Sequence, residues 1–79
     1  MYTVYAIKST SELIYIGQTN DLKRRLQQHQ KGQSKYTKRD TGWRLVHSEI
    51  YESRAEAMRR EKWLKSTAGR SWLHNLLDS

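Results

Sequence analysis

Cysteine and proline are absent from the 79 residues, and glycine occurs only four times. Without cysteine there is no disulfide scaffold and no Cys-ligated zinc module. Without such a staple, a chain this small must rely on regular structure and packing. Hydrophobic residues make up only 35% of the chain, so the core is thin and each large apolar residue is needed in it. No apolar run approaches the ~20 residues of a membrane span. The N-terminal stretch MYTVYAIKST lacks the basic head and long apolar segment of a signal peptide. The expectation is a cytoplasmic protein with no membrane partner, folded as one domain over residues 1–79. The length excludes a barrel enzyme or a doubly wound nucleotide-binding domain, both of which need far more chain.

What the chain does have is positive charge, with 15 Lys and Arg against 8 Asp and Glu, a net +7. Residues 20–44 hold Lys23, Arg24, Arg25, Lys31, Lys35, Lys38, Arg39 and Arg44, opposed by Asp21 and Asp40. This one segment therefore carries +6 of the total. A clustered basic excess is the electrostatic footprint of a polyanion partner, and nucleic acid is the expected one. An anionic membrane surface fits less well, because no continuous bulky apolar face accompanies the charges.

Residues 2–8, YTVYAIK, read as a strand rich in aromatic and β-branched residues, and residues 12–17, ELIYIG, as a second. Ser9, Thr10 and Ser11 supply turn residues between them, predicting a hairpin in which Lys8 faces Glu12 and Tyr5 faces Tyr15. Thr19-Asn20-Asp21 is a helix start, predicting a helix over 21–31 with Leu22, Leu26, Arg25 and His29 along one stripe. Residues 32–42 read as a polar loop bounded by glycines. Residues 43–51, WRLVHSEIY, read as a third strand. Ser53 with Glu56 forms a capping box for a helix over 54–67. Gly69 is expected to break that pattern before a short last helix carrying Trp72, Leu73, Leu76 and Leu77. The fold class is α+β: a three-stranded β-sheet flanked by helices in the order β-β-α-β-α-α.

Four features carry more than packing. Tyr5 and Tyr15 share a hairpin face, although tyrosine is also an ordinary strand residue. Arg25 lies on the core-facing stripe of its helix beside His29, where a planar guanidinium can pair with a carboxylate or clamp a phosphate. Glu61 lies among Ala57, Met58, Leu64 and Lys65, where a carboxylate needs an ion partner or a cation. Lys65 or Arg25 would serve as the partner, and Mg²⁺ as the cation. Lys35-Tyr36-Thr37-Lys38-Arg39 is a basic stretch with an aromatic, suited to holding a phosphate and stacking on a base. With Lys23 and Arg24, the residues Lys35, Tyr36, Lys38 and Arg39 make up the expected nucleic-acid surface.

In order and spacing, these residues resemble the GIY-YIG nuclease domain over nearly the whole chain. Tyr15-Ile16-Gly17 reproduces the second half of the motif. Thr3-Val4-Tyr5 keeps the tyrosine of the first half without its glycine. Arg25 follows Tyr15 by ten residues and His29 follows Arg25 by four, as in the family helix. The stretch from Ala57 to Lys65 resembles the segment with the family's metal-binding glutamate. The resemblance implies hydrolysis of DNA phosphodiester bonds with one Mg²⁺ or Mn²⁺ ion, in a repair or recombination setting. Tyr5 and Tyr15 would bind or activate the attacking water, and Arg25 would offset charge on the scissile phosphate. His29 would move a proton or position Tyr5, and Glu61 would hold the ion. Gln18 stands where some members carry a lysine, and Asn75 is a candidate for a late asparagine of the site. A tyrosine is only about one part in a thousand ionised at pH 7, so such a mechanism needs a cation or base nearby. Related enzymes usually add a DNA-binding domain, so specificity here would come from this domain, a homodimer or a separate partner. The alternative is a non-catalytic nucleic-acid-binding module on the same fold.

Overall fold

Side-chain alternation decides the architecture. In β1 (Tyr2–Lys8), Val4 and Ala6 turn to one face and Tyr5 and Ile7 to the other, and all four are buried. A strand buried on both faces belongs in the middle of a sheet. In the computed structural model, which describes residues 1–32 and 37–78, β1 lies between β2 (Ile14–Thr19) and β3 (Arg44–Tyr51), antiparallel to both. Helix α1 (Leu22–Gln30) sets Leu22 and Leu26 against Tyr5, Ile7 and Trp43 on one face. On the other face, Ala57 and Leu64 of α2 (Arg54–Leu64) and Leu73 of α3 (Thr67–Asp78) pack on Val4, Ala6 and Ile16. The architecture is α+β in the expected order, with a short 3₁₀ turn at Thr37–Arg39 inside the expected loop.

The helix starts follow the capping residues. Asp21 accepts a hydrogen bond from the Arg24 amide at 3.2 Å, and Ser53 accepts one from the Glu56 amide at the same distance. The hairpin register differs from the expected one. Lys8 pairs with Ile14 and Tyr5 with Gly17, so the loop has five residues rather than three. Ser9 is fully buried, donates to Asp40 Oδ2 at 2.7 Å and accepts from the Leu13 amide at 3.0 Å. Glu12 takes a left-handed φ of 69°, which the wider turn needs. A partner 31 residues away therefore sets the loop length, and β2 begins two residues later than expected.

Gly69 is the second correction. It lies inside α3 rather than breaking the chain, because Ser66 restarts the helix by accepting from the Gly69 amide at 3.2 Å. The glycine is needed for packing. A Cβ there would lie 2.6 Å from the Leu64 Cα and closer still to the Trp63 carbonyl oxygen. Only a residue without a side chain lets α3 turn so tightly against the end of α2. Gly69→Ala should therefore destabilise the fold by about 2 kcal/mol or more through overpacking, as read in urea denaturation. Ser71→Ala, at an exposed position of the same helix, should stay within about 0.5 kcal/mol.

Candidate active site

The site forms where α1 crosses the centre of the sheet. Tyr5 and Tyr15 are not directly opposed, but they share the α1 face with ring centroids 6.3 Å apart. Gly17, the residue paired with Tyr5, makes room for the tyrosine ring. A Cβ at position 17 would meet the Tyr5 hydroxyl at 2.7 Å and the Tyr15 ring at 3.1 Å. The glycine of Tyr15-Ile16-Gly17 thus has a steric explanation.

His29 is buried against both tyrosines, its ring centroid 5.7 Å from Tyr5 and 4.9 Å from Tyr15. Its Nε2 is 2.7 Å from the Tyr5 hydroxyl and its Nδ1 is 3.2 Å from the Thr37 hydroxyl. Arg25, one helical turn earlier, lies near both tyrosine hydroxyls, whose interaction with it raises its proton affinity. It also donates to Gln28 Oε1 at 3.0 Å. A neutral imidazole has one accepting and one donating nitrogen, and a Tyr5 hydroxyl that donates to His29 Nε2 leaves the hydrogen on the other. We assign the imidazole hydrogen to Nδ1, directed at Thr37.

Burial governs the electrostatics. Desolvation pushes the Tyr5 phenol up to about 12, against the opposing pull of Arg25. Desolvation, and then the charge of Arg25, bring His29 down to about 4, so at neutral pH it is an uncharged acceptor. Burial alone would lower the proton affinity of Arg25, but the tyrosine hydroxyls more than offset it and the net shift is upward.

Tyr5 is only 1% exposed, whereas Tyr15 is half-buried and reaches the edge of the cluster. This separates two residues that the motif treats alike. Tyr15 can meet a water or a phosphate from solvent, while Tyr5 braces Arg25 and His29 from behind.

Glu61 of α2 is 20% exposed and accepts from Lys65 Nζ at 2.8 Å, so its ion partner in this structure is Lys65 rather than Arg25. It lies close enough to Tyr5 to disfavour ionisation of that phenol. Among the described residues, no three His, Cys, Asp or Glu side chains come together. A hard cation here would have Glu61 as its one protein carboxylate, with water and substrate oxygens completing its shell.

The remaining expected residues are more scattered. Lys23 and Arg24 are exposed on α1, and Lys38 and Arg39 are exposed on the 3₁₀ turn that α1 packs against. Lys35 and Tyr36 lie outside the described residues. Gln18 pairs with Val4 and so turns to the face opposite the two tyrosines. Asn75 is exposed on α3 and makes no contact that ties it to the cluster. Thr37 belongs to the site, although its sequence context showed only a basic loop. It is fully buried against His29, and its carbonyl accepts from the Trp43 indole at 3.0 Å.

The fold and this cluster define a nuclease-type domain. Residues 1–75 match the GIY-YIG catalytic domain, and the chain belongs to that family. Within it, the chain is similar to UPF0213 proteins. One from Halobacterium salinarum is 41% identical over 66 residues, covering 82% of this chain and 86% of the relative. One from Haloquadratum walsbyi is 39% identical over 64 residues, covering 80% of this chain and 72% of the relative. The solution NMR structure of the UPF0213 protein BH0048 from Bacillus halodurans superposes with a TM-score of 0.59 at 34% identity, covering 96% of this chain and 85% of that one.

The buried imidazole makes stability depend on pH. An unfolded histidine takes up a proton near pH 6.5, but folded His29 does so only near 4. Between those values the unfolded chain binds more protons, so stability is full above about pH 6.5 and declines as pH falls through 4. Glu49 acts in a lower window. Arg60, Tyr51 and His47 hold it at about 2 despite its burial, so its contribution is lost only below pH 4.5. Thermal melts between pH 7 and 5 should already show a falling midpoint, and NMR should find the His29 imidazole unprotonated at pH 5.

Proposed function

We propose that the protein is a divalent-metal-dependent endonuclease that hydrolyses phosphodiester bonds in DNA. The observation that carries this reading is the Arg25 guanidinium beside the two tyrosine hydroxyls on the α1 face. That arrangement places a fixed positive charge beside the half-buried Tyr15, where a phosphate can approach from solvent. The Tyr15 hydroxyl holds the attacking water against the phosphate. Arg25 offsets the negative charge that grows on the phosphate oxygens. Tyr5 is a positioning residue. Its hydrogen bond to His29 fixes α1, and with it Arg25, over the sheet, and neutral His29 is locked in turn by Thr37. A Mg²⁺ or Mn²⁺ ion held by Glu61 supplies further charge neutralisation at the phosphate when bound. Lys23, Arg24, Lys38 and Arg39 hold the backbone of the nucleic acid electrostatically.

One observation favours a second reading, a module on this fold that binds nucleic acid without cutting it. The Glu61 carboxylate already has a cation, the Lys65 ammonium. Cleavage of a panel of single-stranded, duplex and flap DNAs with Mg²⁺ or Mn²⁺ separates the two.

For the endonuclease, Glu61→Gln should bind DNA normally yet lose cleavage at every metal concentration. Retained cleavage would remove Glu61 from the site. Arg25→Ala should lower the cleavage rate by about a hundredfold or more with little change in DNA affinity, as expected for a group acting on the transition state. Arg24→Ala, an exposed neighbour, should mainly weaken binding. Tyr15→Phe should lower the cleavage rate by about a hundredfold with DNA affinity kept, whereas Tyr5→Phe should lower the melting midpoint as well as the rate.

A further inference from the structure

A cleft of about 420 Å³ runs along the outer edge of β2, bounded by residues 12–16 on one side and by Lys65 and α3 on the other. The chemistry proposed above leaves it unused. Its floor is apolar, formed by Leu13, Ile14 and Leu73, and its rim carries Lys65, Arg70 and His74. The side chains of Arg70 and His74 make no hydrogen bond or ion pair among the described residues. The one carboxylate on the rim, Glu12, is 75% exposed and paired at 3.8 Å with Lys8. An apolar floor beside the Arg70 guanidinium, which has no ion partner among the described residues, suits a ligand with a flat, weakly polar body and an anionic group. The volume is that of a small-ligand site.

Two residues join the cleft to the candidate active site. Tyr15 lines both, and Lys65 on the rim hydrogen-bonds Glu61 at 2.8 Å. A group seated in the cleft is therefore next to the position assigned to the scissile phosphate. We propose that the cleft is a subsite for one nucleotide of the substrate strand, adjacent to the bond that is cut. Its base lies on Leu13 and Ile14, and its phosphate meets Arg70 and Lys65. This rests on the endonuclease reading above. Because β2 is an edge strand, the cleft opens sideways along the sheet, and a strand can enter it without threading.

The test is an NMR titration of the ¹⁵N-labelled protein in EDTA with deoxyadenosine monophosphate, with deoxyadenosine and with inorganic phosphate. The nucleotide should shift the amides of residues 12–16 and 70–74 with an affinity on the order of millimolar. The nucleoside and phosphate should each bind about tenfold more weakly. Arg70→Glu should weaken nucleotide binding about tenfold and, in cleavage, raise KM while kcat stays within about twofold. Equal binding of phosphate alone, or shifts centred on Arg25 with none in the cleft, would overturn the proposal. An unchanged KM in Arg70→Glu would do the same. Shifts confined to the cleft in a protein that cleaves no DNA would keep the nucleotide site and remove the endonuclease reading. Cleavage with no shifts in the cleft would do the reverse.

Discussion

The buried hydrogen bond between the Tyr5 hydroxyl and His29 Nε2 joins the central strand to α1 across 24 residues of chain. Leu22 and Leu26 press α1 onto the sheet, but apolar contact is non-directional and leaves the helix free to slide or roll. The polar contact removes that freedom, because either partner left alone in the interior would lose about 1–3 kcal/mol. Once His29 is fixed, Arg25 one turn away is brought beside the two tyrosine hydroxyls. Gly17 provides the space for the Tyr5 ring, and Thr37 satisfies the far nitrogen of His29. The same contact that holds the helix in place therefore builds the cationic site.

How much of this was legible in the sequence depended on whether the cause was local. The three strands, the capped helix starts and the stripe of Leu22, Arg25, Leu26 and His29 follow from alternation, capping chemistry and helical spacing, all short-range signals. The hairpin register was not legible, because Ser9 is held by Asp40 from the far side of the chain. Gly69 was misread for a related reason. A glycine that permits close packing and one that ends a helix look alike until the neighbouring helix is in place. Thr37 gave no warning in a run of basic residues, and its burial depends on Trp43 folding over the turn. The different exposures of Tyr5 and Tyr15 likewise arise only once α1 and the strands assemble.

The other face of the sheet is organised around a different ion pair. Arg60 donates to both carboxylate oxygens of Glu49, at 2.8 and 3.0 Å, and its guanidinium lies 4.5 Å from the Trp63 ring centroid and 4.8 Å from that of Trp72. Tyr51 donates to the same carboxylate at 2.6 Å. This arginine is fully committed to holding α2 and α3 on β3. Two partly exposed tryptophans, set edge to face with each other, are occupied in packing against it.

That commitment has an electrical consequence. Residues 45–64 carry four basic and four acidic side chains and are neutral as a unit, whereas residues 20–44 carry six net positive charges. The molecule is therefore a strong dipole rather than a uniformly basic body, with its positive pole on α1 and the turn beside it. In the field of a polyanion such a particle turns before it touches, so its collisions are biased toward the face that bears Tyr15 and Arg25. The orienting torque acts over about one Debye length, roughly 8 Å at physiological ionic strength. Residues 45–64, neutral as a unit, add no competing pull from β3 and α2.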